Sequence, residues 1–136
     1  MTGVQTCALP IPIAQLIAIN TWTFEQIAYL LTKMKAITEG SGENMLTNSS
    51  VFVSSDISDG DRHNHNDMPV LLAGHGGGAL HPGQHIRYGS AISSPSWKTK
   101  PADSDVPVAN LLLTTIATLG VTGNPLGDST GVLPEL

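Results

Sequence analysis

The sequence predicts an α/β fold, in which helices pack against a sheet. Two short apolar runs at 50–54 and 70–73 are rich in β-branched or long aliphatic side chains, and they predict two buried strands. One helical pattern precedes the first run and another follows the second run. The order of helix, strand, polar loop, strand and helix is typical of part of an α/β sheet.

The first helix is predicted over 20–37. Thr23 followed by Gln26 fits a capping box at its start, and Gly40 fits a stop after its end. Apolar residues recur at spacings of three and four, which places them on one stripe of the helix. They are Phe24, Ile27, Ala28, Leu31, Met34 and Ile37.

The second helix is predicted over 106–119, where apolar residues form a broad face. Ser104 or Asp105 is expected to cap its first turn, because short polar side chains accept hydrogen bonds from free backbone N–H groups. Gly120 is expected to end it, because glycine readily adopts the left-handed conformation that closes a helix.

Composition narrows the classes of partner. Lys and Arg number 6 against 11 acidic residues and form no cluster, which argues against nucleic acid as a partner. No apolar run reaches the roughly 18 residues of a membrane span.

The 14 Gly and 9 Pro indicate much irregular chain. We expect a surface loop at 123–136 and a short strand at 85–88.

Residues 1–11 match the translation of a common short-read sequencing adapter that is read from a GTG start codon. The stretch lacks the positive residues of a signal peptide, and Pro10 interrupts its apolar part. We therefore expect 12–136 to be the carboxyl-terminal part of a single α/β domain from a truncated metagenomic gene. Cys7 is the one cysteine and lies in 1–11, so the rest offers no disulfide and no thiolate metal ligand.

The strongest candidate for chemistry is the polar loop at 56–67, because ligands bind beyond the carboxyl ends of strands in α/β sheets. Its carboxylates and imidazoles suit zinc, manganese or iron. In extended backbone, two histidines at i and i+2 point to the same side. The candidate metal ligands are Asp56, Asp59, His63 and His65. The alternative is a solvated turn whose Asp and Asn side chains cap backbone amides.

Two weaker patterns point to other ligands. The segment from Asp56 to Asp67 has the length of a calcium loop, but it lacks the bidentate Glu of the twelfth position. The glycine-rich segment 74–78 follows a strand, as phosphate-binding loops do, but it lacks the Gly-Lys-Ser/Thr ending. We therefore expect at 74–78 either a close approach of the backbone to a ligand or a plain flexible turn, and no nucleotide.

Three segments follow one another along the chain: INTWTFEQIAYLLTKMKAITEG, VFVSSDISDGDRHNHNDMPVLLAGHGGGALHPGQHIRY and NLLLTTIATLGVTGNPLGDSTG. Together they resemble the carboxyl-terminal third of a family of secreted bacterial proteins of unknown function, which is named for a His-x-x-Ser-His-His motif. The resemblance covers 14–133, and SDGDRHNHNDMPVLLAG is its most specific part. The naming motif lies upstream in the family and is absent here. The resemblance implies a periplasmic or secreted protein.

That family resembles, in turn, the alkaline phosphatase and sulfatase superfamily, which implies a three-layer α/β/α sandwich, here truncated at its amino terminus. In the superfamily a core strand ends in Asp-His, both of them metal ligands, and a later histidine ligand precedes a strand like PVLLAG. Asp56 matches the Asp, and His63 or His65 matches the later histidine. Ile57 stands where the superfamily has histidine, so one metal position is altered. The nucleophile and the remaining ligands would lie in the missing amino-terminal part of the same chain.

Two functions stay open at this point. One is a metal-dependent hydrolase of phosphate or sulfate esters, of which this chain alone is expected to be inactive; its metal polarises the ester and activates the nucleophile. The other is a non-catalytic extracytoplasmic domain that binds a small molecule or polysaccharide, or is purely structural. In that case the polar loop at 56–67 is a hydrogen-bonded cap.

Overall fold

A computed structural model describes residues 12–58, 60, 63, 65–88, 106–121, 123 and 125–136. Along the chain the elements are helix α1 (Ile13–Ala36), strand β1 (Val51–Ser54), strand β2 (Val70–Ala73), a 3₁₀ turn (Gly76–Gly78) and helix α2 (Val108–Ala117). The predicted order of helix, strand, strand and helix is confirmed. The described part of the chain therefore has mixed α/β character, with one small sheet.

The sheet pairs β1 with β2 in antiparallel orientation, from Val51 opposite Ala73 to Ser54 opposite Val70. Both strands are half-buried rather than buried as predicted, and the Leu71 side chain is 41% exposed. A two-stranded sheet cannot enclose its own side chains, which explains the difference. The polar loop at 55–69 thus joins the end of β1 to the start of the neighbouring antiparallel strand.

Helix α1 begins at Ile13, seven residues before the predicted start at Asn20. Pro12 precedes its first turn, where proline's fixed φ suits a helix and its missing N–H is no loss. The capping box predicted at Thr23 is wrong, because the Thr23 hydroxyl donates to the Ile19 carbonyl 2.9 Å away within the helix. A Thr hydroxyl can form a hydrogen bond with the backbone of either the preceding turn or the following turn. The position of a Thr alone therefore does not define a helix start.

A chain reversal ends α1 at Ala36. Ile37 has extended backbone, and its carbonyl accepts the Met45 N–H at 2.9 Å. Thr38 and Asn44 form a single antiparallel bridge across the reversal. The expected stop at Gly40 is wrong, because the glycine lies inside this reversal.

Helix α2 is two residues shorter at each end than predicted. Pro107 is its N-cap, and the expected caps Ser104 and Asp105 lie outside the described residues. The predicted stop at Gly120 is confirmed: the glycine has a φ of +78° and donates its N–H to Ala117 at 3.0 Å. The strand predicted at 85–88 is wrong, since these residues pair with no neighbouring strand.

The tail is packed on α2 and is more than the surface loop that was predicted. The Thr114 hydroxyl donates to the Asn110 carbonyl at 2.8 Å and accepts the Leu133 N–H at 2.8 Å. Leu133 and Leu80 are the buried apolar residues of the described part of the chain. The core there is therefore small and lies between α2, the tail and the segment after β2.

Most other large apolar side chains of the described residues are at least partly exposed. Helix α1 has no buried residue, although many of its side chains are apolar. Within the described ranges, no helix is both long enough and apolar enough to cross a membrane.

Candidate functional site

The loop between β1 and β2 (55–69) contains the predicted polar loop at 56–67 and is called the Asp/His loop below; a side-chain hydrogen bond closes its base. The Ser54 hydroxyl at the end of β1 donates to the Pro69 carbonyl at 3.2 Å, just before β2 begins. The Ile57 N–H donates to the Ser55 hydroxyl at 3.4 Å. The first contact holds the two ends of the loop beside each other, as the antiparallel strands require, and the second stabilises only the local turn at 55–57.

One candidate ligand, His65, is oriented by the backbone of another. The His65 Nδ1 atom lies 2.8 Å from the Asp56 carbonyl oxygen. Because a carbonyl oxygen can only accept, Nδ1 must carry the proton, and the Nε2 atom of the neutral ring keeps its lone pair. The structure therefore brings Asp56 and His65 together, through the Asp56 carbonyl.

For His63, the other histidine of the candidate set, the structure shows no such contact with a described residue. His63 has a φ of +50°, so the extended backbone on which the same-side expectation depends is absent there. Asp59 lies outside the described residues. Among the described residues, no three His, Cys, Asp or Glu side chains converge on a metal position. The described part of the loop therefore brings together no complete set of metal ligands.

A cleft of about 900 Å³ lies beside the loop, between β2, the segment 80–88, the first turn of α2 and the tail. Its volume is within the range of small-molecule sites. Its polar wall is formed by His65, Asp67, His81, His85, Arg87 and Tyr88. His63 is not among the described residues that line it. Tyr88 and Val106, the described residues on either side of 89–105, both lie on its wall.

An ion pair joins the end of the loop to the segment 80–88, and both of its residues line the cleft. The Arg87 Nη2 atom donates to the Asp67 Oδ2 atom at 2.6 Å. Both side chains are about half exposed, so the pair contributes no more than about 1 kcal/mol to stability. Sequence reasoning missed Arg87, because twenty positions separate it from Asp67 and no local pattern indicates the pairing.

The Tyr88 hydroxyl is the buried polar atom without a hydrogen bond in the described part of the chain. Its burial and the nearby Glu135 carboxylate raise the pKa of Tyr88 to about 12. The Tyr88 hydroxyl in turn lowers the pKa of Glu135. The hydroxyl has no hydrogen bond of normal geometry, so its dipole interacts with the Glu135 charge through space. Sequence reasoning missed both residues, whose contact depends on the fold of the tail.

The glycine-rich segment forms the expected turn, and its N–H groups are used within the chain. Gly76 donates to the Ser49 carbonyl and Gly77 to the Thr47 carbonyl, both at 3.0 Å. Gly74 has a φ of +99°, and a Cβ atom there would collide with the Ser49 carbonyl oxygen. The close backbone approach that glycine permits is therefore an approach to the preceding turn of the same chain.

Comparison with known proteins identified no relative: the chain matches no protein-family model, no curated protein and no solved structure. The family resemblance therefore stays a prediction from the sequence.

Proposed function

We propose that this chain is the carboxyl-terminal part of an exported three-layer α/β/α domain of the alkaline phosphatase and sulfatase type. In this proposal the complete domain is a metal-dependent hydrolase of phosphate or sulfate esters, and His65 is one of its metal ligands. The supporting observation is the contact between His65 Nδ1 and the Asp56 carbonyl.

This contact prepares His65 to act as a ligand. Histidines that bind metals commonly donate their other ring N–H to a backbone carbonyl or carboxylate, which fixes the tautomer and the ring orientation. His65 also lines the cleft, where a substrate has room to bind. A hydrogen bond from Nε2 instead would have left the more hindered Nδ1 as the free nitrogen.

When bound, a zinc, manganese or iron ion supplies Lewis-acid polarisation of the ester and activation of the nucleophile. The described residues have a supporting part in this proposal. The Asp56 carbonyl orients the imidazole, and the half-exposed ion pair between Asp67 and Arg87 links the end of the loop to the segment 80–88 beside the cleft. We assign the nucleophile and the remaining ligands to the amino-terminal part of the domain.

The alternative is a non-catalytic extracytoplasmic domain in which the loop is a hydrogen-bonded cap. The specific observation in its favour is that the loop already closes on itself through Ser54 and Pro69, and through Asp56 and His65. In this alternative the His65 ring stabilises the loop and binds no ion.

Zinc binding by the full-length protein separates the two functions. We would measure the affinity for Zn²⁺ alone, by competition with a chromophoric chelator, in the unmodified protein and in His65→Gln. His75→Gln is the matched control, because His75 is exposed and does not line the cleft. Asp56→Asn keeps the carbonyl contact and reports whether the carboxylate is itself a ligand.

The hydrolase proposal predicts that His65→Gln weakens zinc binding at least about tenfold, as loss of a ligand or of its support does. The control should bind as the unmodified protein does. Equal zinc affinity in the unmodified protein, His65→Gln and His75→Gln, or no zinc binding in any of them, contradicts the proposal and favours the cap. Faster amide exchange in the loop of His65→Gln, without a change in zinc affinity, would also contradict the hydrolase proposal and favour the cap.

A further inference from the structure

The cleft beside the Asp/His loop is lined by exposed charged groups and by half-buried apolar side chains. Arg87 and Asp67 form the ion pair of its lining, and both side chains are about half exposed. The half-buried apolar part of the lining includes Met68, Val70, Leu72, Ile86 and Leu111. The volume of about 900 Å³ leaves room for a small molecule. A ligand suited to this cleft therefore combines a charged group with an apolar body.

The segment that carries Arg87 is tied to the tail by hydrogen bonds. The His81 N–H donates to the Leu136 carbonyl at 3.0 Å. The Gln84 Nε2 atom donates to the Glu135 carbonyl at 3.1 Å and to the His81 carbonyl at 2.9 Å. This wall of the cleft is therefore formed before a ligand arrives, and binding there requires little ordering of the backbone.

The ion pair leaves both of its partners with further hydrogen-bonding atoms. Its one contact joins the Arg87 Nη2 atom to the Asp67 Oδ2 atom, and neither charged group has another hydrogen bond with a described residue. A guanidinium carries further N–H groups, and a carboxylate has a further oxygen. The pair thus presents N–H donors and a carboxylate acceptor side by side. Because an exposed pair of this kind is weak, the small movements that admit a ligand cost little free energy.

The charges of the cleft favour a ligand that carries both signs. Asp128 also belongs to the lining, so the described lining residues supply two side-chain carboxylates and one guanidinium. A purely anionic ligand would be repelled by the carboxylates, and a purely cationic ligand would be repelled by Arg87. In an α-amino acid the ammonium and carboxylate groups are attached to the same carbon atom. This close spacing matches Arg87 and Asp67, which are themselves in direct contact.

We propose that the cleft binds a free α-amino acid with a large apolar side chain. Arg87 donates hydrogen bonds to the carboxylate of the ligand, and Asp67 accepts one from its ammonium group. The half-buried apolar residues of the lining contact the side chain of the ligand, which gives the site its preference for a large apolar group. This binding uses no metal ion, so it goes beyond the proposed hydrolase function and does not depend on it.

Calorimetric titration of the full-length protein with L-phenylalanine, in the presence of a metal chelator, tests the proposal. Three probes each lack one part of this ligand: phenylpropionate lacks the ammonium group, phenethylamine lacks the carboxylate, and glycine lacks the apolar side chain. We expect each probe to bind at least about fivefold more weakly than L-phenylalanine, because each loses one kind of contact. This comparison uses the unmodified protein and needs no variant to fold.

Two variants assign the contacts to residues. In Arg87→Gln, L-phenylalanine should bind no better than phenethylamine does. In Asp67→Asn, it should bind no better than phenylpropionate does; asparagine also suits the backbone at this position, where φ is +53°. Lys35→Gln and Glu25→Gln are the matched controls, because both residues are exposed on α1 and do not line the cleft.

Three results would overturn the proposal. Phenylpropionate binding as tightly as L-phenylalanine would indicate a site for anions, and equally tight binding of phenethylamine would indicate a site for cations. No saturable binding of L-phenylalanine, or equal binding in the two cleft variants and their controls, would show that the cleft has no amino-acid site at Arg87 and Asp67. Because the chelator removes metal ions, these results do not depend on zinc affinity, and the two proposals fail independently.

Discussion

Asn110 holds Thr130 at two points. The Asn110 Nδ2 atom donates to the Thr130 hydroxyl at 3.0 Å, and the Asn110 Oδ1 atom accepts the Thr130 N–H at 2.7 Å. Asn110 is 5% exposed and lies in the first turn of α2. This buried amide therefore joins the helix to the tail, and the tail in turn forms one wall of the cleft.

Replacing Asn110 should release the tail. Asn110→Ala removes both hydrogen bonds and leaves the Thr130 N–H without its acceptor, which costs about 2–3 kcal/mol. We expect amide exchange at Thr130 and Leu133 to become at least tenfold faster. Asn110→Asp keeps an acceptor and should have a smaller effect. Thr115→Ala is the control, because the Thr115 hydroxyl donates to the Leu111 carbonyl within α2 and not to the tail. Equal exchange rates in all variants would show that Asn110 does not anchor the tail.

Gly74 should tolerate no side chain. Gly74→Ala combines a left-handed backbone with a collision against the Ser49 carbonyl, and we expect a loss of at least about 2 kcal/mol in local stability. Gly77→Ala is the matched control, because its φ is +69° but a Cβ atom there meets nothing within 4 Å. The measurement is the exchange rate of the Gly76 N–H, which donates to Ser49. Similar rates in the two variants would contradict the close approach at Gly74.

Tyr88 should lose its phenolic proton only at a pH well above that of an ordinary tyrosine. Because its pKa is raised to about 12, the tyrosinate absorbance of Tyr29→Phe, which leaves Tyr88 as the sole tyrosine, should appear well above pH 10. Urea should return this titration to the ordinary range of a tyrosine near pH 10. A titration in the native Tyr29→Phe variant that matches the one in urea would show that the hydroxyl is not buried.

Because Tyr88 and Glu135 are in contact, packing of the tail should weaken both at high pH and at low pH. The raised pKa of Tyr88 gives stability that is complete below pH 10 and is lost as pH rises toward about 12. The lowered pKa of Glu135 gives stability that is present above its ordinary value of 4.5 and is lost as pH falls through the lower folded value. Amide exchange of Leu136, corrected for its intrinsic pH dependence, should therefore be slowest between these limits. Tyr88→Phe should abolish the alkaline loss, and an unchanged alkaline limb would contradict the assignment.

Local chemistry explains which elements the sequence predicts. The strands at Val51–Ser54 and Val70–Ala73 follow from short apolar runs bounded by polar or glycine-rich chain, and Gly120 ends α2 as its type suggests. The start of α1 was missed because Thr23 offers a plausible cap, while its hydroxyl bonds backward to Ile19.

The site was harder to predict, because its contacts join residues that are distant in sequence. The Asp/His composition located the loop, but the pairing of His65 with the Asp56 carbonyl uses a backbone atom that every residue type has. Arg87 meets Asp67, and Tyr88 meets Glu135, only after the chain has folded. No periodicity or local motif encodes such pairs.

The gene should continue upstream of the codon for Pro12. We expect read-through sequencing of the source DNA to reveal a longer open frame with an export signal and further clusters of Asp and His. Such a frame would supply the remaining ligands that the hydrolase proposal requires. A genomic start codon that yields residues 1–11 as they stand would contradict both the adapter interpretation and the larger domain.

We propose that this chain completes its core only with further parts of a larger domain, and we would first measure the association state and the unfolding of the isolated 136-residue chain. The described residues bury two large apolar side chains, and they expose large apolar side chains of α1 and the Leu71 side chain of β2. We therefore predict that the isolated chain associates or aggregates and unfolds without a sharp transition. A monomer with a sharp, cooperative thermal transition would contradict the claim and identify the chain as a self-sufficient domain.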